Sequence, residues 1–155
     1  MRTELPAELL ATDAGREADA ILRTCVHCGF CTATCPTYQV LGDELDGPRG
    51  RIRLIQELLE RGEGGADTRV HLDRCLTCRA CETTCPSGVR YGRLLEIGRE
   101  EVETRIGRPL RERLLRRLLV AVVPHPARLA LPLRLGQAFR EIGRASCRER
   151  VSFTV

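Results

Sequence analysis

Cys25-Val26-His27-Cys28-Gly29-Phe30-Cys31-Thr32-Ala33-Thr34-Cys35-Pro36 is followed, 50 positions on, by Cys75-Leu76-Thr77-Cys78-Arg79-Ala80-Cys81-Glu82-Thr83-Thr84-Cys85-Pro86. Both blocks read C-x2-C-x2-C-x3-C-P, and each follows a polar pair, Arg23-Thr24 or Asp73-Arg74. A string this specific is not duplicated by chance. Three cysteines three apart on a tight loop can present their sulfurs to one face of a small object, and a fourth sulfur must then come from elsewhere. Pro36 and Pro86 remove a backbone donor and turn the chain away after the last cysteine of each block.

That pattern is the one used for cubane iron–sulfur clusters, in which the fourth cysteine of each run ligates the other cluster. Applied to this chain, it predicts two [4Fe–4S] clusters. One is held by Cys25, Cys28, Cys31 and Cys85, the other by Cys75, Cys78, Cys81 and Cys35. The exchange of the fourth ligand ties the loops together and sets the clusters side by side, where electrons can pass between them. Zinc is the main rival, because paired C-x2-C motifs are also zinc signatures. It leaves the third cysteine and the C-P unexplained, and predicts a colourless, non-redox interaction module. A disulfide framework suits an oxidising compartment. The N-terminal stretch opens into mixed charge (Asp13, Arg16, Glu17, Asp19) with no apolar run of signal-peptide length, which favours a reducing, cytoplasmic setting.

The rest of the sequence of 155 residues reads as helix around these loops. Asp13 to Arg23 carries Ala14, Ala18, Ile21 and Leu22 at helical spacing. Gly47-Pro48 opens a second helix whose Ile52, Ile55, Leu58 and Leu59 share a face, and Gly62, Gly64 and Gly65 stop it. Tyr91 to Arg105 sets Leu94, Leu95, Ile97 and Val102 towards one side. No run alternates with the period of a strand. The predicted fold is therefore mainly α, a helical ferredoxin-like domain over residues 1–107 with two cluster-binding loops. With no Trp, three Phe and two Tyr, an aromatic core is unavailable; folding is expected to depend on metal. All 25 basic residues are Arg, which reads as coding bias.

Charge is unevenly spread. Residues 1–104 balance at −5, whereas residues 105–140 balance at +8. Arg108-Pro109 closes the third helix. Leu110 to Val123 then sets Leu114, Leu115, Leu118 and Leu119 against Arg111, Arg113, Arg116 and Arg117, so 108–141 is expected to be a basic amphipathic helical segment. It suits an anionic membrane surface, an acidic partner or plain solvent. Pro124, Pro126 and Pro132 are expected to break the chain beyond Val123 into short, poorly ordered pieces. The longest apolar run, Leu118 to Val123, is far short of the ~20 residues that span a bilayer. His27 reads as a solvent-facing loop residue, His71 and His125 have no ligand spacing, and Gly47-Pro48-Arg49-Gly50-Arg51 reads as a solvated helix start or a dock for a partner carboxylate.

The blocks with their surroundings resemble the iron–sulfur subunit of bacterial glycolate oxidase (a glycolate dehydrogenase). The resemblance rests on Cys25 to Tyr38, on Gly42-Asp43-Glu44-Leu45-Asp46-Gly47-Pro48-Arg49-Gly50-Arg51-Ile52, and on His71 to Val89, and it extends from about Leu9 to Arg140. It implies an electron-transfer subunit without a substrate-oxidising site of its own. The partner would be an FAD-containing subunit oxidising glycolate to glyoxylate, with electrons passed on towards the quinone pool at the inner face of the cell membrane. No catalytic residue and no nucleic-acid partner is expected. The same module also suits another flavin-linked dehydrogenase, acting on lactate, glycerol 3-phosphate or succinate, or a heterodisulfide reductase.

Two departures qualify the resemblance. The family continues into a long C-terminal part with paired Cys-Cys-Gly motifs, absent here, so the chain is expected to be an N-terminal portion. Residues 142–155, Ile142 to Val155, fit neither the family nor a continuing helix and read as a non-native, irregular tail; Cys147 is accordingly not expected to be a ligand.

Overall fold

A computed structural model describes residues 2–147, and among them there are helices and turns but no strand. Two compact units meet in sequence at Gly107 and Arg108. The first contains α1 (Ala7–Leu10), α2 (Asp13–Thr24), α3 (Pro36–Leu41), α4 (Pro48–Arg61), α5 (Ala66–Asp73), α6 (Ala80–Thr83) and α7 (Tyr91–Arg105), with 3-10 turns at Phe30–Thr32 and Glu44–Asp46.

Local chemistry explains the long helices. Thr12 caps α2 by accepting from the Gly15 amide at 3.0 Å, satisfying one of the donors a helix start leaves open. Pro48 occupies the first turn of α4, where its missing N–H costs nothing, and Gly62 ends the helix at φ 68°. The apolar faces of α2, α4 and α7 meet in an aliphatic core: Ala18, Ile21 and Leu22; Ile52, Ile55, Leu58 and Leu59; Leu94, Leu95, Ile97 and Val102. Short α3, α5 and α6 are too brief to show a clear helical period and are not evident in the sequence.

Close approach accounts for one glycine in particular. A Cβ on Gly50 would lie 2.0 Å from the Glu44 carbonyl oxygen, a backbone atom that cannot swing aside. This contact lets the 3-10 turn that precedes α4 fold back on the helix. Gly50→Ala is expected to lower stability by about 1–3 kcal/mol or more, since the backbone itself must shift. A thermal midpoint within error of the parent would show that the turn is free to move.

The second unit contains α8 (Leu110–Val122) and α9 (Pro126–Cys147). Leu114, Leu115, Leu118 and Leu119 of α8 are all exposed. No single helix among the described residues is long and apolar enough to cross a membrane. The expected fragmentation after Pro124 is not found. Pro126 begins α9, where proline is tolerated, and Pro132 lies inside it. A proline there removes one ladder hydrogen bond without ending the helix. Helix also runs through Ile142–Cys147, past the expected boundary at 141. The tail's remaining residues, 148–155, and the Cys147 side chain lie outside the described residues.

Candidate metal centre

The two cysteine blocks fold into loops with the same backbone. His27 and Gly29 in the first have φ of 55° and 85°; Thr77 and Arg79, at the equivalent positions of the second, have φ of 56° and 57°. The left-handed region disfavours side chains, and most of all a β-branched one such as Thr77. Strain of this kind persists where the surroundings impose it, commonly at a ligand site. Such left-handed turns point successive amides inward, a concavity suited to a negatively charged group, iron–sulfur centres included. Exposure also repeats: Cys28 and Cys78 reach solvent, as do Val26 and Leu76 beside them.

All eight cysteines of the blocks are free thiols, with none in a disulfide, and they line two cavities. Cys25, Cys28, Cys31 and Cys85 line the first. Cys35, Cys75, Cys78 and Cys81 line the second. Cys85 thus reaches the cavity of the first block, and Cys35 that of the second. Cys81, Pro48 and Tyr91 border both, so the two spaces share a wall.

The donor set distinguishes the candidate metals. A tetrahedral zinc site with Zn–S near 2.3 Å needs sulfurs within about 3.8 Å of one another. Among the described residues, no three cysteine sulfurs lie within 4.8 Å of each other. Four sulfurs spread around a larger space fit a cubane instead. Burial, reinforced by neighbouring cysteines, pushes the Cys31 thiol up and that of Cys81 up to about 12. These two sulfurs therefore need a strong positive centre to ionise, and binding there would release protons.

Hydrogen bonds reach several sulfurs. The Val89 amide donates to Cys85 Sγ at 3.5 Å, Thr37 Oγ1 lies 3.2 Å from Cys35 Sγ, and the Tyr91 hydroxyl donates to Cys75 Sγ at 3.6 Å. Burial pushes the Tyr91 phenol well above its usual value, keeping it a neutral donor.

Behind Thr37 lies a buried ionic network that sequence reasoning missed. Arg51 is 1% exposed and Asp46 fully buried, so neither the solvated nor the partner-docking reading of Arg51 holds. Its guanidinium donates to Asp46 Oδ1 at 3.3 Å, Thr37 Oγ1 at 3.1 Å and the His71 carbonyl at 2.7 Å. Arg74 and the His71 imidazole complete the shell of Asp46, at 2.9 and 3.1 Å. Asp43, Asp46 and His71 come close enough for a cation, but Arg51 and Arg74 already supply the positive charge. By contrast Arg49 remains at the surface, paired with Glu44 at 2.7 Å. His27 is half-buried rather than solvent-facing; burial, followed by nearby positive charge that includes Arg49 and Arg53, holds its imidazole below the usual value.

Known proteins place this arrangement. Residues 21–89 match the 4Fe-4S dicluster domain. The chain is 65% identical over 127 residues to the glycolate oxidase iron-sulfur subunit of Escherichia coli K12, a match covering 82% of this chain and 31% of that protein. It is 41% identical over 111 residues to the probable glycolate oxidase iron-sulfur subunit of Bacillus subtilis 168, covering 70% of this chain and 25% of the other. More distantly, it is 28% identical over 103 residues to the mitochondrial succinate dehydrogenase iron-sulfur subunit of Candida glabrata, covering 59% of this chain and 40% of that one. The chain therefore spans about a third or less of the length of the two glycolate oxidase relatives. In part of its length the chain matches a 4Fe–4S dicluster domain and, over most of it, is similar to the iron–sulfur subunits of glycolate oxidase.

Proposed function

We propose that the chain holds two [4Fe–4S] clusters and relays electrons as part of a glycolate oxidase iron–sulfur subunit. Cys25, Cys28, Cys31 and Cys85 ligate one cluster; Cys75, Cys78, Cys81 and Cys35 ligate the other. The observation that carries this reading is the crossing of the two blocks: Cys85 joins Cys25, Cys28 and Cys31 at the first cavity, Cys35 joins Cys75, Cys78 and Cys81 at the second, and Cys81 stands in the wall the two share. Each cluster, when bound, supplies a site that takes up and gives back one electron. The protein's part is to hold eight sulfurs at fixed spacing, exclude water from the shared wall and bring the exposed loop tips at Cys28 and Cys78 to the surface.

In the whole protein the donor is an FAD-containing subunit oxidising glycolate to glyoxylate, and the acceptor is the quinone pool. The setting is the cytoplasmic face of the membrane, with the exposed leucines and arginines of α8 making peripheral contact. Similarity to a succinate dehydrogenase subunit supports a second reading, the same relay serving another flavin-linked dehydrogenase.

Iron and acid-labile sulfide on anaerobically purified protein test the core of the proposal. About eight of each per chain, with interacting EPR signals after dithionite reduction, are expected. Zinc without sulfide would overturn it. Glycolate-dependent reduction of the clusters by the co-purified flavin subunit, absent with succinate or lactate, would separate the two dehydrogenase readings.

A further inference from the structure

Tyr91, the first residue of α7, is the only aromatic side chain in the buried core cluster among the described residues, where it is 4% exposed and borders both cavities. Its backbone is fixed by the bond from its amide to the Val89 carbonyl at 2.9 Å. Although the ring touches both spaces, its hydroxyl is aimed at a sulfur of only one: Cys75 Sγ, at 3.6 Å, in the second cavity. A metal-bound thiolate has no proton to give, so in the loaded protein the phenol must be the donor.

We propose that Tyr91 sets the reduction potential of the cluster in the second cavity, and not that of the first, by donating its hydroxyl hydrogen bond to Cys75. The inference rests on the ligand assignment proposed for the two cavities. One added electron makes a cluster and its sulfurs more negative, and a fixed donor stabilises the more negative state more. The potential of that cluster rises, and electrons arriving through the shared wall are drawn towards it. Tyr91 is thus a positioning residue acting through Cys75, with no direct part in the redox chemistry.

The test is an EPR-monitored redox titration of the intact, iron-loaded chain and its Tyr91→Phe variant, with iron and sulfide counted on the same samples. The Cys85→Ala protein, retaining the second cluster alone, identifies which wave is which. Removing the hydroxyl is expected to leave the iron content unchanged. At a fixed potential, the reduced-to-oxidised ratio of the second cluster should fall about three- to tenfold, because only the difference in the bond's strength to the reduced and the oxidised cluster counts and this bond is long. A tenfold fall corresponds to about 59 mV for a one-electron couple. The first wave should stay in place. Full loading with an unmoved second wave overturns the proposal, as does equal movement of both waves. A parent protein without about eight iron would instead defeat the ligand assignment.

A second variant covers the case in which Tyr91→Phe does not load. The chain has only two tyrosines, so 3-fluorotyrosine incorporated into a Tyr38→Phe background reports Tyr91 alone. Fluorine strengthens the phenol as a donor, and the second wave should then move to higher potential. No movement, or movement to lower potential, rejects the role.

Discussion

Replacing Cys25 and Cys85 together with alanine is expected to cost no more iron than replacing either alone, about four atoms of about eight. Replacing Cys25 and Cys35 together is expected to cost nearly all of it, although these two share one sequence block and Cys25 and Cys85 do not. The reason is the crossing of the fourth cysteine. Cys85 lines the cavity of the first block, with Cys25, Cys28 and Cys31; Cys35 lines the second, with Cys75, Cys78 and Cys81. A pair drawn from one cavity removes one site, and a pair drawn from both removes two. If each block held its own metal, the pattern would invert. Iron counts on the four proteins decide the matter, with EPR reporting which cluster survives. The double variant that loses both sites should also lose most of its helical circular dichroism, because the binding free energy of such sites is folding free energy.

The features legible in the sequence are those set by local rules. Pro48, Gly62 and the apolar period of α2, α4 and α7 fix three helices because start and stop signals and periodicity act within a few residues. Spacing within the cysteine blocks likewise carries the convergence of three sulfurs. The failures are of another kind. Pro132 is read as a breaker because proline costs a hydrogen bond, yet a single missing bond is outweighed by the helix around it. Arg51 is read as solvated because arginine is rarely buried unless paired. Its partners are Asp46, Thr37 and the His71 carbonyl, brought together by the 3-10 turn, α3 and α5, and nothing near Arg51 in sequence announces them. Tyr91 is similar: its place in a helical period is visible, but the direction of its hydroxyl depends on where Cys75 arrives.

Asp46→Asn is expected to destabilise the domain by about 3–5 kcal/mol, the cost of leaving a buried charge without its partner. Against a typical total stability of about 5–15 kcal/mol, that is a large share of what holds the loaded protein together. The substitution keeps the size of the side chain and removes only the charge that Arg51, 1% exposed, depends on. The network holds Thr37, two residues beyond Cys35, and through His71 and Arg74 the end of α5 just before Cys75. Damage should therefore show first at the second cavity, as faster loss of its iron to a chelator while the first cluster persists. Acid should mimic the substitution. Burial alone would raise the Asp46 carboxyl, but hydrogen bonds from His71 and Arg74 outweigh it and hold it below the usual carboxylate range. A group depressed on folding adds stability that is complete above its unfolded value, about 3.9, and is lost as the pH falls through the lower folded value. The parent should lose this contribution only below about pH 4, whereas Asp46→Asn, with no carboxyl to protonate, should show a flatter acid limb from a lower starting stability. Equal acid slopes in the two proteins would mean that the charge on Asp46 does not carry the network.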